Sequence, residues 1–587
     1  MVKQFGPIQV EINMPCEVDY QESHAEKRST YCFTLRWARE EMQRAQSPAL
    51  TLSWEKPIYD VQYQWHSECR FDRALKPDWG CDEESKLSKS SPLTCFYNDA
   101  GFNRYTVALD DCITRLTRSI GVHEEDGCLR ARFCIPLNTH NAWEMYQVTV
   151  WVDETDCRYE DAIRAVAAWW EGKYPPAHVP AVAKMPVYSS WYSFHHFLFA
   201  GQVEAECVRA VPFGMKTLIL DNGWEDEDCK RGYAYGGDLQ PASIKFPDMR
   251  AHVERVHELG LKYMLWCAVP FAGRYSKAAQ TFRGKTLDYV DAIQTYVLDP
   301  RYPQVRQHIV SNCARMLRDW NLDGFKLDFI DSFRMTPDSP AFAVGMDYSV
   351  LEDAVHRLMC DLTDRLRRIR PDVLIEFRQN YIGPVMRQYG NIFRVGDCPY
   401  STAYNRVGVI DLRLTSGQTA VHSDMLMWNP QDRVENAACQ IENVLFGTVQ
   451  LSARLDRIPD SHLRMMQFWT DFMQKEHRLL QEVPFYAEGP QQLYPLVWAE
   501  ENGRAIFACY QRNYRMNVPA SRLKEFYLIN ANSGTNMLAC FDQPARWKMV
   551  VRNCIGTIAR EEEHILSGWT ELKSPECGLI QFEKIDP

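Results

Sequence analysis

The chain lacks the signatures of several protein classes. Its 20 cysteines in 587 residues are scattered singly, and no two form a CxxC pair. Neither the paired spacing of a structural zinc site nor the density of a disulfide scaffold is present, so they read as free buried thiols in a reducing cytoplasm. No run approaches 18 consecutive apolar residues, so nothing here spans a membrane. The opening MVKQFGPIQVEINMPCEVDY has no continuous apolar segment behind Lys3 and does not read as a secretory signal, which makes a cytoplasmic protein the expectation. There is no Walker-type loop, GxGxxG or HExxH, and no internal repeat or low-complexity segment. A basic run is missing too: 66 Lys and Arg against 77 Asp and Glu leave a net charge of −11, which argues against a nucleic-acid partner.

What is present is a globular composition. With 46% hydrophobic and 24% charged residues the chain is not mainly disordered, and its length predicts two to four domains with large cores. Aromatic residues make up 12%, which suits stacking on flat ligand faces as well as core packing. Residues 1–180 read as a mostly β domain, a β-sandwich, with alternating runs such as RYTVALDD and YQVTVWVD. The helical pattern CRYEDAIRAVAAWWEGKY then stops at Pro175-Pro176.

Over 181–482 the rhythm changes. Eight short apolar runs lie at 187–193, 216–221, 262–268, 324–329, 373–378, 392–397, 419–424 and 448–453. Amphipathic segments such as FPDMRAHVERVHELG and YPQVRQHIVSNCARMLRDWN separate several of them; the last two spacers are less clearly helical. This alternation predicts a (β/α)8 TIM barrel of the α/β class. Residues 483–587 return to short β runs and predict a small C-terminal antiparallel domain, a second sandwich.

A barrel works at the C-terminal ends of its strands. There the runs deliver Asp221 with Asn222 and Trp224, then Trp266, then Lys326 and Asp328. Further on come Glu376 with Arg378, Arg394 with Asp397, and His422 with Asp424. Strands often end in polar residues because they stop at the surface. Asp328 is different: it sits between apolar neighbours with Lys326 on the same strand face, an arrangement that is costly unless paired or functional. Separate carboxylates, aromatic walls and no phosphate loop fit glycoside hydrolysis. His422 could begin a metal site, but neighbouring strand ends offer few further histidines. The plainer reading of His422 and Asp424 is a hydrogen-bonded support for the site.

Five motifs in order carry a resemblance to glycoside hydrolase family 36, the α-galactosidase (melibiase) family, whose clan also holds family 27. GFKLDF resembles the nucleophile strand K-[WLI]-D-[MF], and LILDNGW the second-strand D-D-G-[WY]. GLKYMLWCAVP resembles GLKxGIWxEP, and YVLDPRYPQVRQHI resembles LDxxxPxVRxxI. FRVGDCPYSTAYNR is similar to the acid/base segment. The resemblance implies that Asp328 is the nucleophile, with a low pKa, and Asp397 the acid/base, with a raised one, about 5–5.5 Å apart in a retaining enzyme. It implies that Lys326 contacts sugar hydroxyls and keeps Asp328 ionised, that Asp221 and Trp224 line the sugar subsite, and that Trp191 and Trp266 form walls. Arg378, Arg394 and Asp424 complete the substrate-binding set, Arg394 orienting the acid or forming a structural ion pair. Neither metal nor organic cofactor is implied. The partner is a small α-glycoside or oligosaccharide, and relatives suggest a homo-oligomer by analogy.

Two departures bear on the sugar. Asn222 stands where the family has a second carboxylate, and EFRQNYIGP, with Arg378, replaces a loop that faces the sugar's 2-position. The expected activity is therefore a retaining, exo-acting α-galactosidase. The alternatives are an α-N-acetylgalactosaminidase, another α-glycosidase with an unusual or anionic glycone held by Arg378, and an α-galactosyl transglycosylase.

Overall fold

The computed structural model describes residues 1–45, 47–137, 144–227 and 232–585. From Val2 to Asp153 the chain builds two six-stranded antiparallel sheets. Period-two alternation makes their shared core: Ile8, Val10 and Ile12 are buried while Gln9 and Glu11 face out, and Leu50, Leu52 and Trp54 repeat the pattern. The helix Tyr159–Lys173 buries Tyr159, Ala162, Ile163, Val166 and Trp170, one face at helical spacing. Trp170 Nε1 donates to the Leu109 carbonyl (2.8 Å), and the Tyr159 hydroxyl donates to the Ala487 carbonyl (2.7 Å). This helix therefore joins the first sandwich to the C-terminal sheet.

The central unit is an eight-stranded parallel barrel. Its strands are β1 (Val187–Ser189), β2 (Thr217–Leu220), β3 (Lys262–Ala268), β4 (Gly324–Asp328), β5 (Leu374–Arg378), β6 (Ile392–Arg394), β7 (Ala420–His422) and β8 (Gln450–Leu451). A parallel bridge between His422 and Thr448 closes β7 onto β8. Each of the eight expected runs contains one strand. The two doubtful spacers hold the helices Thr402–Thr415 and Val434–Glu442. A three-stranded antiparallel sheet (Phe271–Gly273, Thr286–Val290, Thr295–Leu298) follows β3 and was not foreseen. An apolar layer of Val187, Ile219, Met264, Leu374, Ile392 and Ala420 fills the barrel's N-terminal end beneath Ala183. At this level β4 contributes Gly324, where a Cβ would lie 2.0 Å from the Leu374 carbonyl oxygen.

The C-terminal strands form one eight-stranded sheet, mostly antiparallel. The expected second sandwich is corrected to this extent: its two layers are one continuous sheet. The strand Asn536–Arg552 is 17 residues long, enough to pair with Arg515–Val518 at its start and Gly578–Lys584 at its end. Among the described residues no helix is long and apolar enough to cross a membrane, and none of the described cysteines is in a disulfide.

Candidate active site

Strand period places the chemistry. On β4, Phe325 and Leu327 pack into the core between barrel and helices, so Lys326 and Asp328 point the other way, into the barrel. The chain turns sharply after Asp328: Phe329 has φ +64°, a left-handed conformation that a bulky residue adopts only when its surroundings enforce it. The turn brings the Phe329 amide onto Asp328 Oδ1 (2.7 Å).

Asp328 is heavily solvated by the protein. Its Oδ1 also accepts from Arg378 Nε (2.6 Å) and from the Tyr381 hydroxyl (3.1 Å), and Oδ2 accepts from Trp266 Nε1 (3.0 Å). Burial opposes ionisation, but the charges of Arg378 and Lys326, the Trp266 hydrogen bond and Arg394 outweigh it, holding this carboxyl well below the usual range. The low pKa expected of a nucleophile is present. Lys326 acts from a short distance away, because its Nζ donates to Asp221 Oδ2 (2.6 Å).

Arg394, 1% exposed, is the hub of the other side. Its Nη2 donates to Asp397 Oδ1 (2.9 Å), Nη1 donates to Asp424 Oδ1 (2.6 Å), and Nε lies 3.6 Å from Glu376 Oε1. Arg394 both orients Asp397 and forms a buried ion pair. Asp397 is half exposed, with 53% of its side chain open. Burial would raise its pKa, yet Arg394 and Lys326 bring it below the ordinary value. The raised pKa expected of an acid is therefore not found for Asp397. Asp424 is fully buried and holds the Tyr192 hydroxyl (2.9 Å) and the Cys398 amide (2.6 Å). It supports the Asp397 loop from below and is not placed to touch a sugar. Deeper in the barrel, Glu376 meets His422 Nδ1 (2.9 Å) and the Gln450 amide, and His422 Nε2 donates to the Ala183 carbonyl (2.7 Å).

The β2 side carries a second group of polar residues. The Asp221 amide donates to Ser190 Oγ (2.9 Å), and Asp221 Oδ1 accepts from the Asn222 amide (2.8 Å). His196 Nδ1 lies 2.8 Å from Asp226 Oδ2, and its Nε2 lies 3.0 Å from Asn222 Nδ2. This pattern assigns the Nδ1–H tautomer to His196, with Nε2 accepting from Asn222. The Asn222 carbonyl oxygen then remains an acceptor for a hydroxyl. Gly223, at φ +110°, lets the His196 backbone approach, where a Cβ would lie 2.6 Å from its Cα. Trp191 is half-buried against His195 and His196. Trp224 is a correction: it is fully buried, packs edge-on against Trp320 and donates to the Trp266 carbonyl (3.0 Å), so it braces the wall from behind. Trp266 is wall and donor at once.

Arg378 is also corrected. Its Nε holds Asp328, its Nη1 donates to the Gln379 carbonyl (2.9 Å), and its Nη2 lies 3.6 Å from Asp331. Its Nε is thus committed to Asp328 and its Nη1 to the backbone, while Nη2 makes only the long contact to Asp331. Sequence reasoning missed Tyr381, Tyr192 and Tyr233; the last stacks on Trp266 (6.0 Å between ring centres). Tyr381 and Tyr233 lie in loops and Tyr192 in the four-residue helix Trp191–Phe194, so none of them carries a periodic signal. Glu225 was missed too: buried beneath the Gly237 and Leu239 amides, it is pushed up to about 7 by burial.

No family model and no curated protein matches the sequence. Solved structures do match. An α-galactosidase from Lactobacillus brevis superposes with TM-score 0.69 at 14% identity, over 99% of this chain and 82% of that one. The GH36 α-galactosidase AgaA from Geobacillus stearothermophilus, bound to raffinose, gives 0.63 at 14%, over 99% and 83%. The galactosidase domain of the α-galactosidase–sucrose kinase AgaSK gives 0.65 at 12%, over 99% and 80%. The chain has the fold of the GH36 α-galactosidases: a (β/α)8 barrel between an N-terminal β-sandwich and a C-terminal β domain.

Proposed function

We propose that this protein is a retaining, exo-acting glycoside hydrolase that releases terminal α-linked galactose from small oligosaccharides. The observation that carries the reading is Asp328, a carboxylate held by four donors inside a barrel mouth, with Asp397 just beyond the end of β6, two strands away. In the first step Asp328 attacks the anomeric carbon while Asp397 protonates the leaving oxygen, through an oxocarbenium-like transition state. Water then attacks the glycosyl-enzyme as Asp397 takes its proton, and the configuration is retained. Attack neutralises the Asp328 charge, so Arg378, Lys326 and Trp266 restrain the nucleophile in the ground state and favour its departure in the second step.

Without a sugar beside it, the lowered pKa of Asp397 favours its ionised form. The reactive complex is the fraction of enzyme with Asp397 protonated, and that fraction grows when a sugar excludes water from the half-exposed carboxyl. Asp221 and the Asn222 carbonyl oxygen accept from hydroxyls remote from the reacting carbon. The free thiols accord with a cytoplasmic enzyme acting on imported oligosaccharides.

Asn222 favours a second reading on the glycone, an α-N-acetylgalactosaminide, because an amide replaces a charged acceptor. The commitment of Arg378 Nε to Asp328 makes this arginine a partner of the nucleophile first. The test is p-nitrophenol release from α- and β-galactoside, N-acetylgalactosaminide, glucoside and arabinopyranoside, with Asp328→Asn alongside. Release from one α-glycoside, lost in the variant, supports the class and identifies the sugar; release unaffected by the variant sinks the mechanism. A sugar acceptor that outcompetes water would mark a transglycosylase.

A further inference from the structure

A second cleft, of about 630 Å³, lies beside the catalytic centre, where the N-terminal sandwich meets the loops after β4 and β5. Asp331, three residues beyond Asp328, and Asn380, two beyond Arg378, line its inner wall. Asp331 is 3.6 Å from Arg378 Nη2, so a single residue separates this cleft from the nucleophile's own partner.

The cleft is built around unspent positive charge. Lys86, from the sandwich, lines it and is only 7% exposed. Among the described residues no carboxylate comes within ion-pair range of its ammonium and no hydrogen bond reaches it. Burial pushes its amine down, and the nearest opposing charge, Glu352, attracts it without contact. Glu84 is already engaged, by Arg115 at 2.6 Å and Lys89 at 3.9 Å. Arg334 lines the opposite rim and has no ion pair among the described residues. A nearly buried ammonium with no counter-ion is costly, and the cost is relieved when an anion arrives.

The start of the helix Leu351–Ile369 faces the same space. Val350, its N-cap, makes no side-chain cap, and residues 349–352 line the cleft. The first amide groups of a 19-residue helix are thus directed toward it with the positive end of the helix dipole. Of the carboxyls that line the cleft, Glu84 is paired and burial holds Asp331 toward its neutral form, which leaves Glu352, in the helix's first turn, as the one charge opposing an incoming anion.

We propose that this cleft binds an oxyanion, phosphate or carboxylate, between Lys86 and the helix N-terminus, and that the anion belongs to an acidic sugar unit of the substrate. The second half rests on the glycosidase reading; the first does not.

Calorimetric titration of the full chain with inorganic phosphate, glucose 6-phosphate and glucuronate tests both halves. The expected result is saturable binding, tighter by at least about threefold for one sugar acid than for inorganic phosphate, and that sugar acid identifies the group. Lys86→Gln is expected to weaken it at least about tenfold and Lys86→Arg to retain it within about threefold. Arg334→Gln, at an exposed position that does not endanger folding, is expected to weaken it about threefold. Wild type that binds none of the three, or Lys86→Gln and Arg334→Gln variants that bind like wild type, overturns the site. Phosphate bound as tightly as both sugar acids overturns the substrate assignment. The readout is binding, so p-nitrophenol release unaffected by Asp328→Asn would sink the glycosidase mechanism without touching the oxyanion site.

Discussion

Arg378 Nε lies 2.6 Å from Asp328 Oδ1, and this contact governs how the centre behaves with pH. A guanidinium beside a buried carboxylate lowers its pKa, so Asp328 is charged throughout the working range. Arg378→Gln is expected to move the acid limb of the kcat/KM profile upward by about one pH unit. The sign for stability follows from the lowered folded pKa. The charged form stabilises the fold above about pH 4, where the unfolded carboxyl also ionises, and that stabilisation is lost as pH falls below it. Thermal melts from pH 5 to 2.5 should therefore fall less steeply for the variant than for wild type. Equal slopes would show that the pair is not felt.

Asp397 sets the opposite limb. Its pKa is lowered by Arg394 and Lys326 against the effect of burial. Catalysis needs the protonated form, so kcat/KM should already decline as pH rises through the carboxyl range, giving an acidic optimum. An optimum on the alkaline side would assign the acid role elsewhere.

The two carboxylates are separable by azide. With Asp328→Gly, azide attacks the substrate from the nucleophile's side and yields the β-glycosyl azide. With Asp397→Gly and an activated substrate, it attacks the glycosyl-enzyme and yields the α-glycosyl azide. Without azide, Asp328→Gly should lose on the order of 10³-fold or more in kcat. The same anomer from both variants would refute the role assignment.

Tyr381, absent from the expected site, shares its hydroxyl between Asp328 Oδ1 and the Leu327 carbonyl, each at 3.1 Å. Tyr381→Phe removes a hydrogen bond of about 1–1.5 kcal/mol, so kcat/KM is expected to change by roughly tenfold. A melting temperature close to wild type would separate this effect from loss of fold. No change in kinetics would make the tyrosine a packing residue.

Gly324 tests the barrel floor. An added methyl would meet the Leu374 carbonyl oxygen at 2.0 Å, a backbone atom of the neighbouring strand that cannot swing aside. Gly324→Ala is expected to destabilise by about 3 kcal/mol or more, read from urea midpoints at unchanged slope.

Much of the barrel was legible because its strands are short, buried on both faces and separated by turn residues and amphipathic helices; TLIL at 217–220 is one case. Lys326 and Asp328 could be assigned to one strand face because side chains alternate with period two. The three-stranded sheet after β3 was not visible, because its strands are three to five residues long and pair with one another across irregular connections.

The sequence by itself determined which strands carry Asp221, Asp328 and Asp397 to one end of the barrel, since strand polarity and period are local properties. Tertiary structure alone decided what those groups meet. Trp224 is one residue beyond Gly223 in a motif that suggests a sugar wall, yet it packs behind Trp266. Arg378 and Asp328 stand 50 residues apart and make a close ion pair. Asp397 acquires a low pKa from Arg394 and Lys326 together. Charge–charge and hydrogen-bond energies depend on distances of a few ångströms between strands. Those distances are set by how eight strands close around a shared interior, and no short window of residues contains them.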